Sequence, residues 1–152
     1  MPLLNYTTSV PVSRTLGQVQ ALLVQAGATR IMVEYDTDRR PSDVAFRVAT
    51  PHGDRDFVLP VNACRVEAVL AREKVERRYS TPEHAERVAW RIVKDWLEAQ
   101  LAIIRTEMVT LDQVMLPYMA GDNGQTIYDL YVTQQLGQQL AIDPAADAGG
   151  AS

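Results

Sequence analysis

The sequence predicts an α+β fold: a single domain in which an antiparallel sheet of three to four strands packs against helices. Two periodicities carry this reading. Three short segments in the first half alternate apolar and polar residues as strands do, and residues 84–104, HAERVAWRIVKDWLEAQLAII, repeat their apolar residues as a helix does. The strands are joined by DTDRRPSD and PHGD, polar loops with Pro or Gly that suit hairpins, so the simplest sheet is a meander. A chain of 152 residues fits one domain with a core large enough to need no metal or disulfide staple.

Taken in order, Leu3–Val12 (LLNYTTSVPV) is rich in Thr, Val and Tyr and reads as a short strand, at an edge because Pro11 has no amide to donate. Thr15 and Gln18 have the spacing of a capping box, and Leu16, Val19, Leu22, Leu23 and Ala26 then form one helical face that Gly27 closes. The strands follow: Ile31, Val33 and Tyr35, then Val44, Phe46 and Val48, then Phe57, Leu59 and Val61 form one apolar face, while the alternate residues are mixed. Asn62 caps a helix expected to reach about Arg77, with Val66, Val69, Leu70 and Val75 inward. Thr81 as cap, Pro82 at the first helical position and Glu83 at the positive end of the dipole open a long central helix over about 82–108. Thr110 caps a short helix that Pro117 ends, GDNGQ turns, and TIYDLYVTQQLGQQL predicts a weaker helix. The domain is expected to span 1–140, with residues 141–152 a disordered tail.

The long helix is apolar over more than half its circumference. With about 100° per residue, Ala85, Val88, Ala89, Ile92, Trp96, Ala99 and Ile103 share one sector, and Trp90, Val93, Leu97, Leu101, Ile104 and Met108 share the next. A helix lying on a sheet needs only about a third of its surface apolar, so this one needs two covers. The Ile92 and Trp96 sector is expected on the sheet. The sector of Trp90, Leu97 and Leu101 is then covered either by the C-terminal segment (Leu111, Val114, Met115, Leu116, Tyr118) or by a partner, including a second copy of the chain.

Charge is uneven along the chain. The net charge is -4, and residues 109–152 contain five Asp and no Lys or Arg. No apolar run approaches the ~20 residues of a membrane span. The first residues lack a secretory signal, and the single Cys64 has no thiol partner, so the expected setting is the cytoplasm. No nucleophile elbow, phosphate loop or dinucleotide motif is present, and His52, His84 and Cys64 are not spaced as metal ligands. The pairs Asp36/Asp38 and Asp54/Asp56 read as hairpin-loop residues. The sequence therefore predicts no enzyme, no metal and no cofactor.

Positive charge gathers in one region only. Arg72, Lys74, Arg77 and Arg78, then Arg87, Arg91 and Lys94, make a basic ridge suited to phosphates, although interleaved glutamates at helical spacing offer surface ion pairs as the alternative. The order helix, three strands, helix matches the double-stranded RNA-binding domain in topology only: Pro82, Glu83, His84 and Glu86 stand where that domain has its lysine cluster.

The stretches MPLLNYTTSV, RVAWRIVKDWLEAQLAII, LDQVMLPYM and GQTIYDLY resemble a family of small proteins of bacteriophages, prophages and integrative mobile elements. The resemblance runs to about Tyr131 and implies a bacterial cytoplasmic setting; no catalytic or binding residue carries over from it. It does not by itself imply a mechanism; the ridge leads us to expect an accessory protein that binds nucleic acid or a nucleoprotein, or, as the alternative, an inhibitor or adaptor that contacts a host protein.

Overall fold

A computed structural model describes residues 1–133; the tail expected at 141–152 and the end of the last expected helix lie outside them. Within these bounds the fold is α+β. Helix α1 (Val12–Gln25) leads into strands β1 (Ala28–Tyr35), β2 (Pro41–Thr50) and β3 (Gly53–Val58). Helices α2 (Ala63–Arg72), α3 (Pro82–Arg105) and α4 (Leu111–Met115) follow, then the two-residue strand β4 (Met119–Ala120) and helix α5 (Ile127–Val132). The sheet is antiparallel throughout, in the order β1-β2-β3-β4. The meander is as expected, with a short fourth strand supplied by the C-terminal segment.

The core lies on one face of the sheet. Val44, Phe46, Val48, Phe57 and Leu59 point from the strands into a cluster with Leu16, Val19 and Leu23 of α1, Trp90, Val93 and Leu97 of α3, and Met115. Phe46 and Phe57 are cross-strand partners whose rings stack 5.4 Å apart.

This corrects the phase of α3. The side chains that meet the sheet are Trp90 and Leu97, each 1% exposed, and not the Ile92 and Trp96 sector; Trp96 is half-buried with its edge against Tyr118 at 5.5 Å. The reason is volume. The gap between a helix and a sheet takes large side chains, whereas the small Ala85 and Ala89, buried together with Val88, let α2 approach, and Leu70 is the buried residue of that helix. The second cover is therefore α2 along the N-terminal half of α3 and the segment around Met115 and Tyr118 along the C-terminal half.

The N-terminus also departs from expectation. Residues Leu3–Val12 form no strand: Asn5 takes a left-handed backbone (φ 63°), Tyr6 and Thr8 close turns onto Leu3 and Asn5, and the chain then runs straight into α1. Side chains hold this strap to α3. Asn5 Nδ2 donates to Asp95 Oδ2 at 2.8 Å, and the ring of His84, 3% exposed, bonds through Nε2 to the carbonyl of Tyr6. His84 Nδ1 faces the Arg87 guanidinium at 3.2 Å, so Nδ1 accepts and Nε2–H donates. His84 is thus a buried anchor in the first turn of α3.

Two helix boundaries shift for identifiable reasons. Helix α1 begins at Val12 after Pro11, so Thr15 is a buried residue inside it and not its cap. Helix α2 stops at Arg72 rather than near Arg77, because Lys74 turns into the left-handed region (φ 53°). The other caps fall as read: Asn62, Thr81 and Thr110 accept from Arg65, His84 and Gln113 amides. Helix α3 ends at Arg105, three residues before Met108.

Two outcomes follow from this packing. Trp90→Ala should lower stability by about 3–5 kcal/mol in chemical denaturation, and Trp96→Ala by clearly less. His84→Leu strands the Tyr6 carbonyl and should cost about 1–3 kcal/mol, with limited proteolysis releasing the first residues faster than in the unaltered chain.

Candidate functional site

The cations of the predicted basic ridge differ in how they are engaged. Arg91 reaches between helices to α1, where its guanidinium donates to Gln18 Oε1 and lies 3.5 Å from Thr15 Oγ1. Arg87 is held by His84, and Lys94 pairs with Asp95 at 3.5 Å and Glu98. These three cations stabilise the packing of α3 and its strap. Arg72, Lys74, Arg77 and Arg78 lie at the exposed end of α2 and in the turn after it; of these four only Arg78 has an ion pair among the described residues, with Glu76 at 2.9 Å. Arg78 also lies over the Tyr79 ring, 4.6 Å from its centre.

The expected partner surface is not available either. Trp90 and Leu97 are core residues, and Leu101 is half-buried against the same cluster. Cys64 is exposed in the first turn of α2. Of the hairpin carboxylates, Asp36 serves the backbone, its Oδ1 accepting from the amides of Asp38 and Arg40, both at 2.9 Å, which fixes the β1–β2 turn, whereas Asp54 and Asp56 lie within β3 and not in a loop. Among the described residues no three His, Cys, Asp or Glu side chains gather as a metal site. None of their helices is long and apolar enough to cross a membrane.

What sequence reading missed is the other face of the sheet. The described helices that bury the core lie on one side, and an antiparallel sheet can leave its second face to solvent. The alternate residues of the strands line that face, and the register arranges them in rows. Arg30 stands opposite Arg47, and Arg47 opposite Asp56; Met32 stands opposite Ala45, and Ala45 opposite Val58; Glu34 stands opposite Asp43. Beyond β3, the turn from Ala120 to Gly124 rises along the side and closes a cavity of about 530 Å³ over these rows. Its floor is apolar in the middle, with Arg30, Arg47 and Asp56 in the row on one side and Glu34 and Asp43 in the row on the other.

The charges differ in how they are satisfied. Arg47 grips Asp56 in a two-pronged pair, Nε to Oδ1 at 2.7 Å and Nη2 to Oδ2 at 3.0 Å, and this bond is the main cause that holds the Asp56 carboxyl below the ordinary range. Asp43 goes the other way. Burial raises its pKa, and the facing Glu34 carboxylate raises it further. The signal was present in the sequence as the mixed alternation of the strands, but pairing partners depend on register, which alternation alone does not supply.

No protein-family model matches the chain, and no curated protein or solved structure is significantly similar to it. The arrangement of the face itself therefore carries the functional reading.

The raised Asp43 gives a pH test with a defined sign. A carboxyl whose pKa is higher in the folded state destabilises the fold when it is ionised, and that cost vanishes below the ordinary carboxylate value. Asp43→Asn should therefore raise stability at neutral pH, roughly by a few tenths of a kcal/mol. The gain should fade in denaturation curves taken at increasingly acidic pH.

Proposed function

We propose that the protein is a non-enzymatic binding protein, an inhibitor or adaptor, whose open sheet face receives an extended segment of another protein. The observation that supports this is the row structure of that face: an apolar floor of Met32, Ala45 and Val58 between Arg30 with the Arg47–Asp56 pair on one side and Glu34 with Asp43 on the other, beside the turn at 120–124. Such a cleft suits a peptide with apolar side chains and a basic residue placed over Glu34 and Asp43. It suits nucleic acid poorly. The aromatic among its lining residues, Phe46, is buried on the core side and offers no stacking platform, and Glu34, Asp43 and Asp122 repel phosphates.

With it we propose the setting that the resemblance drawn from the sequence implies, a bacterial cytoplasm, with a host protein as the target. A second reading keeps one specific observation. Arg72, Lys74, Arg77 and Arg78 cluster on an exposed junction and support phosphate contact on a smaller footprint than the ridge expected from sequence.

The two readings separate in one experiment with the full chain. Tagged protein should retain one defined host protein from a bacterial lysate; Ala45→Glu with Val58→Glu should abolish that retention, and Arg72→Glu with Arg77→Glu should leave it intact. A salt-sensitive gel shift with DNA or RNA, lost in the arginine variant and kept in the sheet-face variant, would overturn the proposal in favour of nucleic acid.

A further inference from the structure

The two edges of the sheet are unequal. At one edge β4 contributes two residues and is followed by a turn that bonds back through Gly121 and Gln125. At the other, β1 runs for eight residues and pairs only with β2 among the described residues. Natural edges are usually blunted by proline, a central bulge or brevity. Here β1 has no proline, and its irregularities sit at its ends, between Ala28 and Arg30 and between Glu34 and Tyr35. Arg30 to Glu34 is a regular stretch.

The direction of its backbone groups follows from one hydrogen bond. The Leu59 amide donates to the Val44 carbonyl at 2.9 Å, so the main chain of Val44 faces β3. Alternation turns the main chain of Ala45 toward β1, where its partner is Met32. Met32 therefore bonds inward, and the amides and carbonyls of its neighbours Ile31 and Val33 point away from the sheet.

The side chains carry a second observation. Within the chain Arg30 faces Arg47 and Glu34 faces Asp43, two like-charge pairs across neighbouring strands. Such pairs are unfavourable. Arg47 is neutralised by Asp56, but Arg30 and Glu34 have no ion pair among the described residues. Between them Met32 is 56% exposed.

We propose that two copies of the chain pair edge to edge through β1, antiparallel about a twofold axis at Met32. In that register Ile31 exchanges main-chain bonds with Val33 of the second copy. Met32 meets Met32 in the non-bonded position, where side chains lie closest, and each Arg30 faces the Glu34 of the other copy. Both charges left opposite a like charge within the chain gain a complement. An axis at Ile31 or Val33 would set Met32 against a charged residue, and an axis at Arg30 or Glu34 would oppose like charges. The product is an eight-stranded sheet whose two open faces are continuous. The inference rests on the β1 edge and not on the proposed function, and it is tested without any other protein present.

The test is sedimentation velocity of the full chain over a range of concentrations, with circular dichroism to confirm that each variant is folded. The unaltered chain should form dimers. Arg30→Glu alone and Glu34→Arg alone should each weaken self-association by roughly tenfold or more, because every charge pair at the interface becomes like-signed. Mixing the two single variants should restore a dimer that contains one copy of each, since both charge pairs are then complementary, and the double variant R30E/E34R should dimerise by itself. A wild-type chain that remains monomeric at all concentrations, or single variants that associate as the wild type does, would overturn the proposal.

Discussion

The contact on which the rest of the structure depends is the seating of Trp90, Val93 and Leu97 against Val44, Phe46, Phe57 and Leu59. It is the point where the one long helix meets the central strands, and burial of these side chains supplies the largest share of apolar area the chain can remove from water. Because the large residues of β2 and β3 all point to this side, the alternate residues must point to the other. The open face is thus a geometric consequence of the core. Its composition is then free to serve something other than folding.

The same helix explains why Arg87, Arg91 and Lys94 are engaged within the chain. A helix of 24 residues that is buried along two directions leaves little surface, and the cations on its remaining strip are close enough to neighbours to be captured. Arg91 crosses to Gln18 of α1, Arg87 leans on His84, and Lys94 bridges Asp95 and Glu98. Arg40, in the turn before β2, adds a tie to Glu86 at 3.1 Å. Exposed ion pairs contribute little, but the half-buried Arg91 and the His84 anchor fix how α1, α3 and the N-terminal strap sit together.

Much of the fold was legible in the sequence, for reasons that also explain what was not. The meander follows from local alternation and turn residues, and the caps at Asn62, Thr81 and Thr110 follow from side-chain chemistry that acts within four residues. The phase of α3 is a different kind of quantity. Its two apolar sectors are similar in hydrophobicity, and which one meets the sheet depends on the volumes that α2 and the strands present to it. The strap at residues 3–11 failed for a related reason: its strand-like composition is overridden by Asn5 in a left-handed conformation and by bonds to Asp95 and His84, both far away in sequence. The candidate site was visible only as a mixed face, because rows such as Met32, Ala45 and Val58 exist only once the register is set.

The charges sort by location in a way that bears on function. On the helical side, His84, Arg87, Arg91, Lys94 and Asp95 are all tied to other residues of the chain. On the open face only Arg47 and Asp56 are matched, while Arg30 and Glu34 face like charges across the strand. A chain selected for stability alone would place opposite charges at those positions, since each such exchange is favourable by roughly 0.2–1 kcal/mol and requires no change of backbone. Unmatched charge at the rim of an apolar floor is a cost to the isolated fold, and such costs collect where a surface serves recognition. The helical side therefore accounts for how the chain folds, and the bare face of the sheet carries the charges that folding leaves without an opposite partner.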